Sequence, residues 1–399
     1  MNPDLPFGER LKRLRNREGM SRPVLAGLVG RSAEWLKRLE KGDYLMPRPS
    51  MLFALADRLG VELVELIGDP RIAGTHYGKI AHDRLPDIAR ALASYPISTE
   101  PGPVDVAGLV AKVGQLWDLW HGSARHRTAV AGLLPSLLHD VRTAVPRVDD
   151  RDRRTMLATE AQTYHLVQLF LSFQPAPELV HLCGDRAMTA AQGTDDPLAM
   201  SAAAWYMNHV FRDAGQQHEA RVQLALDTAG LLNPERSDDE RAFWGLLRLA
   251  CALSFAKVGR DGDAWRYWDD ADRAAKALPG GYEHPWLRFG RSMVDAYAVT
   301  MLVDLMRPHE AIRQADRLDL DGMTSQTRRS FHTIETARAY HQAREHVAAV
   351  HLLARAQQIS PETVRFNLFT RAAIKDLSEH GGHTVRADAQ GLGRHLDLV

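Results

Sequence analysis

The chain has 399 residues, 45% of them hydrophobic and 25% charged, with zero formal net charge and two cysteines. This length predicts two or more domains, and the composition is that of a globular protein. Two cysteines without a CxxC pair fit a reducing cytoplasm, and the absence of a leader or an apolar span in the sequence predicts a cytoplasmic protein with no membrane partner.

The first strong pattern covers residues 21–42, which predict two short helices joined by a glycine turn. Ser21 suits a helix N-cap, and Pro23 lies in the first turn, where its missing N–H costs nothing. Gly30 stands where the turn needs a positive φ, and Ser32 caps the second helix. The apolar stripes of the two helices are formed by Leu25, Leu28 and Val29, then by Trp35, Leu36 and Leu39.

The outward face of the second helix is partly basic. It carries Ala33, Glu34, Lys37, Arg38 and Lys41. Residues 1–50 hold a net charge of +5, and the remaining 349 residues hold −5, so the positive charge is concentrated beside the helix pair. A second helix held in this way is the geometry that enters a DNA major groove, whereas a basic face alone is usually just solvated surface. The pattern predicts a DNA-binding protein.

Residues 7–66 resemble a Cro/CI-type (XRE) helix-turn-helix domain. The matching positions are Leu11, Leu14, Arg15, Leu25, Ala26, Gly30, Ser32, Glu40 and Gly42. Two positions depart from the family pattern: Arg22 replaces a glutamine that touches the DNA backbone, and Arg31 replaces a small apolar residue. An arginine at position 22 can still donate to a phosphate.

The candidate DNA-binding residues are Arg22, Ser32, Glu34, Lys37, Arg38 and Arg48. Lys37 or Arg38 could read guanine and Glu34 could read cytosine, although the two basic residues could equally touch only phosphates. Arg22 and Arg48 are expected at the backbone. We expect Glu40 to pair with an arginine of the first helix such as Arg15, and Trp35 to be a core residue.

Three segments are expected: the helix-turn-helix domain at 1–70, a linker helix and hinge at 71–103, and an all-α repeat domain at 104–399. A helix is predicted from about His76 to Tyr95, and the proline-rich stretch 96–103 predicts a loop. The sequence after residue 104 shows helical stripes and almost no period-two alternation.

Small residues recur in that third segment at the spacing of tetratricopeptide (TPR) helix pairs. The anchor alanines Ala220, Ala264, Ala311 and Ala349 are 44, 47 and 38 residues apart, longer than the usual repeat. Ala252 and Ala264 would let two antiparallel helices approach closely. The pattern predicts a divergent TPR-like α-solenoid serving sensing and dimerisation, and the alternative is a plain helical array without a ligand.

This order of domains resembles the RRNPP group of peptide-responsive quorum-sensing regulators. The resemblance implies a peptide or small-molecule effector in the concave face, controlling the geometry of a homodimer on a double-stranded DNA operator. The candidate effector-binding residues are Trp205, Asn208, Arg212, Arg248 and Tyr297, each of which could instead serve helix packing. Trp117 and Trp120 are expected to seal the first helices of this domain.

No catalytic pattern appears in the sequence: the 18 histidines are scattered, and no HExxH, GxSxG or Walker A motif is present. We therefore expect a transcription regulator without enzyme activity, cofactor or metal. The alternative from another class is a TPR scaffold for a protein partner, with the helix-turn-helix as an accessory module.

Overall fold

The structure, a computed structural model, describes residues 6–44, 47, 49–61, 63–67, 79–97, 103–212 and 218–396. Helices account for all of the regular secondary structure in these ranges, which confirms the all-α prediction. The N-terminal five are α1 (Phe7–Arg17), α2 (Arg22–Leu28), α3 (Ala33–Lys41), α4 (Pro49–Arg58) and α5 (Leu63–Ile67). They share a small core of their own, in which Leu11, Leu25 and Leu36 are fully buried.

The linker helix is shorter than predicted. Helix α6 spans Leu85–Ala93, and its proline in the first turn explains why it begins there rather than near His76. Before it, the backbone N–H of Arg84 donates to Nδ1 of His82, which closes a turn instead of a helix. Part of the predicted helix and of the proline-rich loop falls at 68–78 and 98–102, outside the described residues.

The remaining helices form an α-solenoid. It begins with α7 (Val106–Gly122), α8 (His126–Ala131) and α9 (Leu134–Ala144). Five successive helix pairs follow: α10 (Asp150–Leu171) with α11 (Pro177–Gln192), α12 (Pro197–Arg212) with α13 (His218–Ala229), α14 (Asp238–Lys257) with α15 (Asp261–Lys276), α16 (Arg291–Asp304) with α17 (Pro308–Ala315), and α18 (Gln326–Gln342) with α19 (His346–Ile359). The C-terminal end consists of α20 (Pro361–Phe366), α21 (Leu368–His380) and α22 (His383–His395).

Each first helix of a pair packs on its own partner and on the first helix of the next pair, which is the arrangement of a helical solenoid. The prediction for Ala252 and Ala264 is confirmed, because both are fully buried where α14 meets α15. One continuous apolar core runs from Ile88 of α6 to Met301 of α16. The sequence did not predict the pair α10 and α11 as a repeat.

The two ends of the array meet, because α7 packs against α10 and also against α18. The hydroxyl of Thr327 donates to the carbonyl oxygen of Trp120, and Nδ1 of His121 lies 2.8 Å from Oγ of Ser325. At the start of α8, the backbone N–H of Arg127 donates to the Glu362 carboxylate at 2.6 Å. The first and last helices therefore close the solenoid around its interior.

Candidate DNA-binding surface and its contact with the solenoid

Two serine caps and a glycine turn set the geometry of α2 and α3. Oγ of Ser21 accepts from the N–H of Val24 at 3.4 Å, and Oγ of Ser32 accepts from the N–H of Trp35 at 3.1 Å. Gly30 between them has a φ of 64°, which a side-chain-bearing residue rarely adopts. The capping residues expected from the sequence are thus in place, and Trp35 is a core residue as predicted.

A buried carboxylate ties the three helices together. Glu40 accepts two hydrogen bonds from Arg15, at 2.5 and 3.1 Å, and one of 2.7 Å from Nε of Arg22. Arg15 also donates to the carbonyl oxygen of Met20. The expected pairing of Glu40 with Arg15 is confirmed, and Arg22 is partly committed to the same carboxylate, with about a third of its side chain exposed.

The predicted base-reading side chains share one face of α3. Oε2 of Glu34 lies 3.1 Å from Nζ of Lys37, and Oε1 lies 3.4 Å from Nε of Arg38. Slight burial raises the pKa of Glu34, but the hydrogen bonds and charges of Lys37 and Arg38 outweigh it and lower that pKa. These exposed pairs cost little to break, so the three side chains are free to exchange their partners for bases or phosphates.

The N-terminal end of α3 is covered by the solenoid. A Cβ placed on Gly259 would lie 2.4 Å from the Cβ of Ser32, so only glycine permits the two backbones to come this close. The guanidinium of Arg31 donates to the carbonyl oxygen of Lys257, in the last turn of α14. The C-terminal end of a helix carries partial negative charge, which favours an arginine there. While this contact holds, the start of α3 cannot enter a groove.

The contact continues through an apolar anchor and two polar pairs. Met306, in the loop after α16, is buried in the core of the helix-turn-helix domain. Nη2 of Arg338 lies 2.8 Å from the Tyr44 hydroxyl, and Nη2 of Arg344 lies 2.7 Å from Oδ1 of Asp43. The ends of α14, α16 and α18 together form the surface that holds the domain, which we call the docking surface.

Asp304 is the charged centre of the docking surface. It accepts from Arg338 at 2.7 Å and from Lys257 at 3.3 Å. Burial alone would raise the pKa of Asp304, but the charges of Lys257 and Arg338, with a contribution from Arg31, hold that pKa well below its usual range. Asp304 is therefore ionised at neutral pH and attracts Arg31 towards the solenoid.

The candidate effector-binding residues occupy different environments. Trp205 and Tyr297 are fully buried, and their ring centroids are 6.3 Å apart across α12 and α16. The amide nitrogen of Asn208 donates to the carbonyl oxygens of Ala204 and Arg221, so it serves the packing of α12 on α13. Arg248 stacks on Trp244, 4.5 Å from its ring centroid. The side chains of Arg48 and Arg212 lie outside the described residues.

Sequence reasoning missed most of the docking surface. Arg31 was noticed only as a departure from a family pattern, and Met306, Asp304 and Arg338 gave no signal. The contacts between the two domains join residues more than 200 positions apart, such as Arg31 with Lys257 and Tyr44 with Arg338, and no local pattern encodes them.

Within the described ranges, no group of three or more histidine, cysteine, aspartate or glutamate side chains could hold a metal ion. The helices in the same ranges are also too short or too polar to span a bilayer.

Comparisons with known proteins agree with the N-terminal geometry. Residues 6–66 match the family model described as "Helix-turn-helix domain". No curated protein matched the chain. Among solved structures, the chain is similar to the apo form of the competence regulator ComR from Streptococcus vestibularis, with 14% sequence identity and a TM-score of 0.31 over 86% of this chain and 97% of that one. Residues 6–66 are therefore a helix-turn-helix domain, followed by an α-solenoid.

Proposed function

We propose that this protein is a DNA-binding transcription regulator whose solenoid holds the helix-turn-helix domain away from DNA until an effector releases it. The observation that carries this proposal is the contact of Ser32 and Arg31 with Gly259 and Lys257, because it covers the N-terminal end of the helix that would enter the groove. The exposed Glu34, Lys37 and Arg38 then remain as the base-reading set after release.

If only released molecules bind DNA, the apparent DNA affinity is the affinity of the free domain multiplied by the fraction of molecules that are released. Each 1.4 kcal/mol removed from the docked state therefore raises the apparent affinity about tenfold, up to the affinity of the free domain. Met306 is the best place to weaken docking, because it belongs to the solenoid and its side chain is buried in the core of the other domain.

The experiment is a gel shift on the protein's own promoter region with wild type, Met306→Ala and Met323→Ala. Met323 is a half-buried methionine in the loop before α18 and serves as the matched control. We expect Met306→Ala to bind about tenfold more tightly than wild type, and Met323→Ala to bind like wild type. Adding Lys37→Ala and Arg38→Ala to Met306→Ala should abolish the gain, since each good base contact is worth about 1–3 kcal/mol.

Equal affinity of wild type and Met306→Ala would show that the docked contact does not control DNA binding. Failure of every variant to bind would instead favour the scaffold alternative.

On an operator we expect a homodimer, because one helix-turn-helix reads only about half a turn of DNA. A cytoplasmic location is part of the same proposal. The effector, a peptide or small molecule, would bind inside the solenoid near Trp205 and Tyr297, the second of which lies on α16, a helix that ends at the docking surface.

A further inference from the structure

Residues 282–290, with the sequence Tyr-Glu-His-Pro-Trp-Leu-Arg-Phe-Gly, turn into the solenoid rather than running over its surface. This stretch, the inner segment, connects α15 to α16. Connecting segments normally stay at the surface, yet Leu287 is 1% exposed and Phe289 is 0% exposed. The inner segment is therefore seated in the solenoid as a ligand would be.

Its aromatic side chains pack against helices from earlier in the array. The ring of Trp286 stacks 5.2 Å from Trp117 of α7 and 6.2 Å from His165 of α10. Phe289 lies against α14 at Gly245, where an added Cβ would be 2.7 Å from its ring. A glycine in the middle of a helix destabilises that helix, and the close approach of the Phe289 ring explains why glycine occupies position 245.

The backbone of the inner segment is held by side chains of the solenoid. The carbonyl oxygen of Trp286 lies 2.9 Å from Nε2 of His121, and the carbonyl oxygen of Leu287 accepts from Nη2 of Arg328 at 3.0 Å. Burial lowers the pKa of His121 to about 3, so the ring is neutral; Nε2–H donates to the carbonyl and Nδ1 accepts from Ser325. Grooves recognise extended peptides in the same way: they bind the backbone by hydrogen bonds and provide pockets for alternate side chains.

The inner segment also carries features that favour its release. Arg288 has a φ of 58°, a left-handed conformation that residues other than glycine adopt only under strain. Trp286 is only partly buried. The Glu283 carboxylate ties the start of the segment to the solenoid by accepting from the Thr324 hydroxyl at 2.7 Å, and it accepts from Arg288 within the segment at 3.1 Å, so loss of this one carboxylate would loosen the segment.

We propose that the inner segment is a built-in occupant of the effector site, and that the effector is a peptide with an aromatic–aliphatic pair whose carbonyls bind His121 and Arg328 in its place. This deepens the proposed function and rests on its assignment of an effector to the solenoid. Since a tethered segment competes at millimolar effective concentration, a free peptide binds the intact protein weakly unless the tethered one is loosened.

The test uses the full chain and a fluorescein-labelled peptide of residues 282–290, with binding followed by fluorescence polarisation. Trp286→Ala removes the ring that stacks on Trp117. Glu283→Ala loosens the segment and keeps every aromatic ring, so it serves as the second variant if Trp286→Ala does not fold. We expect both variants to bind the peptide at least tenfold more tightly than wild type. Val347→Ala, at an exposed position on α19, is the control and should behave like wild type.

No binding to either folded variant, or equal binding of a scrambled peptide, would overturn the inference. The peptide-binding measurement contains no DNA. A negative result in it therefore does not change the gel-shift result, and a negative gel shift does not change the peptide-binding result.

Discussion

Two places where distant parts of the chain meet have opposite chemistry. At the docking surface, the ionised Asp304 is shared between Lys257 and Arg338 and attracts Arg31 of the other domain, and Met306 provides an apolar contact. At the inner segment, Trp286, Leu287 and Phe289 pack among rings and neutral histidines. Removing one partner of the buried ion pairs leaves an uncompensated charge, whereas the apolar seat is part of the main core. We infer that the docking surface controls DNA access directly, whereas the inner segment contributes to solenoid stability as well as occupying the proposed effector site.

The largest effect that tests this comparison is expected for Phe289→Ala. Removing a fully buried ring from the seat should lower the free energy of unfolding by about 3–5 kcal/mol, measured by denaturant titration. Phe289→Leu keeps most of the volume and should cost much less. A loss below about 1 kcal/mol for the alanine variant would mean that the inner segment is not seated in the core.

A smaller effect is expected for Asp304→Asn at the docking surface. The substitution keeps the shape but removes the charge that attracts Arg31 of the helix-turn-helix domain towards the solenoid. DNA affinity should therefore rise, while Asp316→Asn, at an exposed position beside α17, should leave it unchanged. Unchanged affinity in the Asp304 variant would separate this carboxylate from docking.

Acid should weaken the interior before it affects the docking surface. Burial lowers the pKa values of His121, His165 and His332 to about 3, against about 6.5 in an unfolded chain. The unfolded state then takes up protons first, so stability is lost as pH falls from about 6.5 towards 3, by about 1.4 kcal/mol per pH unit for each histidine. His332→Phe should reduce the slope of unfolding free energy against pH by one proton. An identical slope would show that His332 is already protonated in the folded protein.

The smallest effect should come from Arg344→Ala, which removes an exposed ion pair with Asp43. Such pairs contribute less than about 1 kcal/mol and are screened by salt. DNA affinity should rise severalfold at most, and the difference from wild type should vanish at high ionic strength. A larger change that persists in salt would place Arg344 in the buried part of the docking surface.

The sequence predicted the helix-turn-helix domain well because its determinants are local. The serine caps, Gly30 and the Arg15–Glu40 pair all fall within 26 residues. The helix pair around Ala252 and Ala264 was also predictable, since close helix contact requires small residues there.

The sequence did not predict the contacts that form where the helical array brings distant helices together. No pattern near residues 282–290 indicates that they turn inwards onto α7 and α14. In the same way, Arg31 finds Lys257 only because the ends of three helices meet on one surface. Long-range contacts of this kind are set by the superhelix and not by spacing along the chain.

Electron–electron double resonance between spin labels at Lys41→Cys and Asp269→Cys tests the central claim most directly. Both positions are exposed, and labelling is selective because Cys183 and Cys251 are buried, with thiol pKa values raised to about 12 by that burial. We predict one narrow distance in the free protein, replaced by a different distance when operator DNA binds. A broad distribution in the free protein, or an unchanged distance in the DNA complex, would contradict the claim that the solenoid holds the helix-turn-helix domain away from DNA.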